Sequence, residues 1–387
     1  RPLALARWQL EHDAVRIRRM PRLLARKRAR MEVSPFAFLR GAAPLFYRVL
    51  VLLPRLARGP DDEGLLSGDL HLENFGAYRP DRPSPRGDRV AFDLNDVDEA
   101  FTGPLHLDLL RLLTSALLAA RGWGATAPEG LALAGAVLDG YARVRSGRPV
   151  PPPPTAVARL VERVTARNRR TFLERRTRGT GDERRFLRND VLLRLSRSVR
   201  SACVRAFERY ADAESRRSGV PRERLRILDV AFRVAGTGSL GALRVAVLVT
   251  GHGGRDGAWM FDMKAMGAPA GRELATRDAE PGPERVERAL RTLLRHPPGM
   301  LGTVRLLGQG MLVRRLTPQE DRLDWASVTP SERARTLAFT GALAAAAHLR
   351  GAPSRPEPLS QKAGSKLLRS SVELAGLHEA VALSAAF

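Results

Sequence analysis

The chain has 387 residues, 44% hydrophobic and 27% charged; these are ordinary globular values, and at about 150 residues per domain they leave room for two or three domains around a large buried core. The formal net charge of +24 invites a phosphate polymer as partner. However, four Lys stand against sixty-one Arg, a skew that GC-rich coding produces wherever a surface accepts either cation, so nucleic acid is not expected as the main partner. Cys203, the single cysteine, excludes an internal disulfide and fits a reducing cytosol. The longest apolar runs, near Leu112 to Ala120 and Gly341 to His348, fall well short of the roughly 20 residues that span a bilayer; no membrane span and a cytoplasmic location are expected.

Residues 1 to 32 mix Leu and Ala with Arg16, Arg18, Arg19, Arg22, Arg26, Lys27, Arg28 and Arg30. The spacing predicts one amphipathic helix with a solvated basic face. Ser34 to Gly41 read as an aromatic-rich turn into a short helix, with Arg40 a candidate phosphate clamp or plain surface residue. Leu65 to Gly76, LLSGDLHLENFG, then puts an apolar lead-in, a Gly turn, the carboxylate of Asp69 and the carboxamide of Asn74 into one loop. D-x-x-x-x-N is the spacing of kinase catalytic loops, where the Asp accepts the proton of the acceptor hydroxyl and the Asn holds magnesium.

The Pro- and Gly-rich stretch 79 to 88 reads as a turn, and Val90 to Leu94 as a short strand leading to a second acidic cluster with Asp93, Asp96 and Asp98. Asp108 opens an apolar helix through Ala120 that carries Arg111 and Ser115 on its polar side, and residues 131 to 145 repeat the helical period. Pro149 to Pro154 cannot continue a helix and mark a boundary; 156 to 218 read as a basic helical insertion.

After Pro221 the pattern changes to strands. Leu225 to Ala235, Leu243 to Val249 and Ala258 to Ala265 alternate as strands do, with a Gly-rich turn at Gly236, Gly238 and Gly241 between the first two. No helix follows that turn, so a dinucleotide-binding fold does not fit. A hairpin bare of side chains suits a cover over nucleotide phosphates. Lys264 stands on the third strand in a chain that has nearly abandoned Lys, and a compact ammonium is what reaches phosphates from a strand. On the helix predicted from Glu284 to Arg295, either Glu284 or Glu287 could pair with Lys264, and Glu284 is assigned to the nucleotide site. Thr303 to Leu307 and Gly310 to Leu316 read as a hairpin, and Leu337 to His348 and Leu367 to Ala386 as closing helices, with His348 a buried, hydrogen-bonded histidine rather than a catalytic one.

Taken together the blocks 34–41, 68–76, 92–112, 234–241, 343–351 and the Lys264 strand resemble a bacterial family of unknown function whose motifs are similar to those of aminoglycoside phosphotransferases and protein kinases. The resemblance implies an α+β, kinase-like two-lobe fold with Asp69 as catalytic base, Asn74 and Asp96 as magnesium ligands, and ATP as cofactor. Asp96 is chosen because such kinases place a metal-binding Asp twelve residues before a structural one, here Asp108; Asp93 and Asp98 are the alternatives. Two departures stand out. Ser67 occupies the position where the kinase loop has His, and the glycine turn and Lys follow the catalytic loop instead of preceding it, which implies a circular permutation.

The expected organisation is a catalytic and metal-binding part of a helical lobe at 1–148, a Pro linker and basic helical insertion at 149–220, a nucleotide-binding sheet lobe at 221–328, and helices at 329–387 that complete the helical lobe. The expected activity is magnesium-dependent phosphoryl transfer from ATP to a hydroxyl acceptor that the sequence does not identify. A phosphoesterase using Asp69 and His71 as metal ligands, and a basic nucleic-acid-binding or pseudokinase scaffold, are the alternatives. If the charge is a coding bias spread over the surface, affinity for duplex DNA will be weak and will collapse between about 50 and 200 mM salt. Fluorescence anisotropy with labelled duplex measures this, and tight sequence-selective binding at physiological salt would reverse the ranking.

Overall fold

A computed structural model of the chain describes residues 1–18, 20–80, 90–236 and 240–385. The architecture is α+β, with every strand pairing antiparallel. Two apolar cores dominate it.

The larger core is helical. The segment His106–Gly122 (HLDLLRLLTSALLAARG) is apolar on nearly every side, so it is stable only when neighbours cover it all round. Helices Ala127–Arg145, Pro330–Gly351 and Gln361–Ala385 do so, joined by Pro35–Gly41 and Ala43–Leu52. Helices Ala127–Arg145 and Pro330–Gly351 cross with backbones in contact: a Cβ on Gly140 would sit 1.8 Å from the Ala338 carbonyl oxygen, and one on Gly341 2.0 Å from that of Val137. Among the described residues no single helix is long and apolar enough to cross a membrane; the apolar pair Pro35–Gly41 and Ala43–Leu52 is bent by 87° and packs into this core.

The second core belongs to a six-stranded sheet in the order Gly302–Leu306, Gln309–Leu316, Trp259–Ala265, Arg244–Val249, Ile227–Arg233, Leu192–Leu193. Alternation along the strands divides its side chains between two faces. Val245, Val247, Phe261 and Met263 meet Cys203, Phe207 and Tyr210 of helix Arg197–Ser218. Ala246, Leu248 and Met260 turn the other way, onto Leu173 and Phe186. The hairpin at 302–316 has a two-residue loop, with Leu306 opposite Gln309 and positive φ at both Leu307 and Gly308. That geometry matches the strands' twist.

Three expectations need correction. The first 32 residues form two helices, Pro2–Ile17 and Pro21–Met31, because Pro21 is tolerated only at a helix start. Lys27 is no part of a solvated face: it is buried and paired with Asp13 at 2.5 Å. The stretch 149–220 is not one basic insertion. Val157, Leu160 and Val164 of helix Thr155–Thr165 enter the larger core, the helix Arg197–Ser218 packs on the sheet, and short strands and turns lie between. Nor are all the Arg superficial, since Arg111, Arg145, Arg184 and Arg285 are buried.

Candidate functional site

The loop that carries Asp69 is held from three sides. Strand Glu63–Leu66 pairs with Phe101–Pro104 and delivers the chain to Ser67. The next turn needs glycine twice over: Gly68 has φ 79°, and a Cβ there would lie 1.8 Å from the Glu99 carbonyl oxygen. The backbone N–H groups of Ser67 and Gly68 donate to the two oxygens of Asp108 at 2.7 and 3.0 Å. Tyr47 donates its hydroxyl to the Gly68 carbonyl at 2.7 Å. Ser67 donates its own hydroxyl to the Asp96 carbonyl at 3.1 Å and so ties this loop to the acidic segment.

Asp108 is fully buried and lies 3.2 Å from His348 Nε2. From there a chain of contacts runs from His348 Nδ1 to the Tyr141 hydroxyl at 2.8 Å, to Arg145 at 3.2 Å and on to Asp62 at 2.8 Å. His348 is thus buried and hydrogen-bonded, as expected of it.

Asp69 accepts from Arg111 Nε at 2.6 Å. Arg111 is itself buried, donates to the Leu39 carbonyl at 2.9 Å and lies over the Phe46 ring at 4.9 Å. Burial raises the Asp69 carboxyl to about 7; Arg111 opposes that rise, and Glu99 and Asp96 add to it. Asn74 commits its amide nitrogen to the Asp69 carbonyl at 2.6 Å. Its oxygen is therefore the atom it could offer a cation.

His71 takes a different part from the one a metal ligand needs. Its Nδ1 accepts from the Glu73 N–H at 3.2 Å, which puts the proton of the neutral ring on Nε2, 4.0 Å from Asp69. Burial, then Arg40 and Arg111, hold the ring well below its ordinary range and hence neutral. Arg40 is engaged by Glu73 at 2.7 Å.

The acidic segment sorts its carboxylates. Asp93 is used by the fold: it accepts from its neighbour Leu94 N–H at 2.9 Å, Arg295 N–H at 3.0 Å and Arg350 at 3.3 Å. Asp96, Asp98 and Glu99 line the cleft. Burial, then the neighbouring Asp98, raise Asp96 to about 6. Burial would raise Asp98 too, but the ammonium of Lys264 pairs with it and pulls it below the usual range. Among the described residues no group of three or more His, Cys, Asp or Glu is placed to hold a metal.

Lys264 therefore crosses from the sheet to the acidic segment, and its partner is neither Glu284 nor Glu287. Glu287 pairs with Arg291 at 2.8 Å, and Glu284 lines a neighbouring recess with Pro281 and Gln309. The helix, Pro283–Leu293, instead turns Arg285 inward, where it donates to the carbonyls of Asp98, Ala100 and Gly267. Gly236 lines the cleft with φ 80°; Gly241 has φ 92° and abuts Ile17. Gly238 lies outside the described residues, as does nearly all of the turn expected at 79–88.

Asp69, Asn74, Asp96, Gly236 and Lys264 thus line one cleft of about 820 Å³ between the loop and the sheet. Sequence reasoning placed Arg111 on a polar helix face and missed its contact with Asp69. An Arg three residues after an Asp, within the apolar stretch from Leu107 to Ala120, was the available signal.

The model of a family described as an uncharacterized protein conserved in bacteria matches residues 19–148 and 153–382. No curated protein and no solved structure matches the chain.

The anchoring of the loop has a direct check. Gly68→Ala and Gly124→Ala both put a side chain at positive φ, but only Gly68 meets a carbonyl, since nothing lies within 4 Å of a Cβ on Gly124. Gly124→Ala should cost about 1 kcal/mol, and Gly68→Ala at least about twice that, because the Glu99 backbone must move. Urea unfolding of both variants measures the difference, and equal losses would contradict the close approach.

Proposed function

The chain belongs to the DUF2252 family, conserved in bacteria, and we propose that it is an ATP-dependent, magnesium-requiring phosphotransferase with a hydroxyl acceptor, on a circularly permuted kinase-like two-lobe fold. One observation carries the reading. Two segments far apart in sequence, each selected by motif for the same reaction, line a single cleft, and Lys264 closes it by pairing with Asp98.

In this reading Asp69 accepts the proton of the acceptor hydroxyl, and Arg111 fixes the orientation of its carboxylate. Asn74 and Asp96 would hold the cation, hard oxygen donors of the kind Mg²⁺ takes when phosphates complete its shell. When bound, Mg²⁺ neutralises charge on the transferring phosphoryl group. Lys264 would turn from Asp98 to the nucleotide phosphates, beneath the backbone of the Gly236 turn. The sheet supports this assignment of parts: strand, Gly-rich turn, strand, turn, Lys strand and helix follow in the order of a kinase nucleotide lobe. The phosphoesterase alternative loses ground because His71 turns a protonated nitrogen towards Asp69.

The decisive measurement is thermal unfolding and calorimetry with ATP, with and without Mg²⁺. A ligand that binds only the folded state must raise stability, so a rise in Tm that needs both is expected, and no heat and no shift at millimolar ATP and Mg²⁺ would remove the reading's support. In single-turnover assays of phosphate transfer or ATP hydrolysis, Asp69→Asn should retain ATP binding and lose turnover by about 10² to 10⁴-fold. Asp96→Asn should weaken the dependence on Mg²⁺, and Lys264→Met should lower turnover with little change in fold. Parental activity in all three folded variants would show the assignment to be wrong.

A further inference from the structure

Away from the cleft, the described residues hold a second concentration of positive charge that the proposed reaction does not use. A cavity of about 110 Å³ is lined by Arg79, Arg169 and Arg315 together with Phe172, Trp259 and Thr317. It shares no lining residue with the cleft. Its three cations come from three places: Arg79 follows strand Phe75–Tyr78, Arg169 begins helix Arg169–Glu174, and Arg315 lies on Gln309–Leu316 beside the start of the Trp259 strand.

The cavity is built, and it is incomplete. Arg315 lies 4.0 Å from the centre of the Trp259 ring, which holds its guanidinium plane. Four polar atoms on its lining are buried without a hydrogen-bond partner among the described residues: Arg315 Nε, the indole N–H of Trp259 and the hydroxyl of Thr317, all able to donate, and the side-chain oxygen of Gln319, which only accepts. Trp259 is 3% exposed and Thr317 9%. Buried donors are ordinarily satisfied, so the three groups that can donate outnumber the one acceptor beside them and call for a further acceptor.

The charges point the same way. Burial, then Arg169 and Arg79, push the Arg315 guanidinium down to about 9, and burial followed by Arg79 lowers Arg169. Among the described residues no carboxylate pairs with any of the three. Three acids near it among the described residues are already engaged: Glu174 with Arg170 at 2.8 Å, Glu320 with Arg314 at 3.5 Å and Asp321 with Arg167. Guanidinium and indole groups donate and never accept, so the complementary ligand is an anion rich in acceptors. A volume of about 110 Å³ has room for a tetrahedral oxyanion. The planar fork of Arg suits phosphate oxygens.

We infer that this cavity binds a small phosphate-class oxyanion, either inorganic phosphate or the phosphate of a small monoester, held by Arg79, Arg169 and Arg315 and hydrogen-bonded by Thr317 and Trp259. The strand before Arg79 contributes Ala77 and Tyr78 to the larger core, whereas Arg315 stands on the sheet. The bound anion therefore clips the two cores together at a point separate from the Lys264–Asp98 pair.

The test is isothermal titration and thermal unfolding of the whole chain with low-millimolar sodium phosphate, against sodium chloride of equal ionic strength. The expected result is saturable phosphate binding and a raised Tm. Binding should weaken about tenfold or more in Arg169→Gln and Arg315→Gln, the loss of one charge-assisted contact, and persist in Lys264→Met. If Arg315→Gln fails to fold, the half-buried Arg169→Gln decides alone. Absence of phosphate binding in the parent overturns the inference, as does binding untouched by Arg169→Gln or abolished by Lys264→Met, which would place the anion in the cleft. A glycerol phosphate titration separates the sources: tighter binding than inorganic phosphate supports a monoester ligand, and weaker binding supports the free ion.

Discussion

The Asp108 carboxylate is the constraint on which the site depends. A buried charge is expensive unless it is paired and fully hydrogen-bonded, and this one is completed by two backbone N–H groups of the loop and by His348. Because both loop donors must point at one carboxylate, the chain at Ser67 and Gly68 can leave in only one direction, and that direction presents Asp69 to the cleft. Arg111 stands three residues further along the same helix, on the same face, and takes hold of Asp69 itself. One helix thus fixes the base of the loop and the orientation of its reactive group. The contacts beyond His348, through Tyr141 and Arg145 to Asp62, bind that helix to two others, so the larger core and the site share one scaffold.

Much of this was legible in the sequence, for identifiable reasons. Helices and strands followed from apolar periodicity, with the change of period after Pro221, whereas the α+β class was what the family resemblance implied. Asp69, Asn74, Asp96 and Lys264 could be singled out, and do line one cleft, because short motifs fix residue type and spacing locally, and a loop keeps that spacing when it folds. The Lys264 partner was not legible. A helix near a strand Lys offered two Glu, but which face turns inward depends on packing, and here Arg285, one residue on from Glu284 and so about 100° round the helix, occupies the inward side. The acid that reaches Lys264 comes instead from a segment 166 residues away.

The composition misled in a related way. Treating Arg as surface filler is sound on average, but Arg111, Arg145 and Arg285 each satisfy several buried acceptors. A count cannot separate them from solvated ones. Scarcity of Lys pointed to Lys264, yet it applied equally to Lys27, whose pairing with Asp13 is structural. Rarity shows only that a position resists Arg; the surroundings say why.

Those surroundings also explain why the cleft of a strongly basic chain can hold acids with different tasks. Arg233 and Arg244 stand on its sheet side, but buried Asp262 accepts from both at 2.9 Å and is held far below the carboxylate range, burial being outweighed by Arg244 and Arg233. With those cations engaged, Lys264 is the sheet's contact to the acidic segment, and it selects Asp98. Asp96, two residues earlier, accepts from the Asp98 N–H at 3.3 Å but pairs with no cation among the described residues, and it is displaced in the opposite direction. Two like groups a few ångströms apart are thereby driven to different protonation behaviour by a single ammonium. The pairing of Lys264 with Asp98 thus does two things at once: it joins the sheet to the helical core, and it leaves Asp96 facing the cleft without a cation paired to it among the described residues.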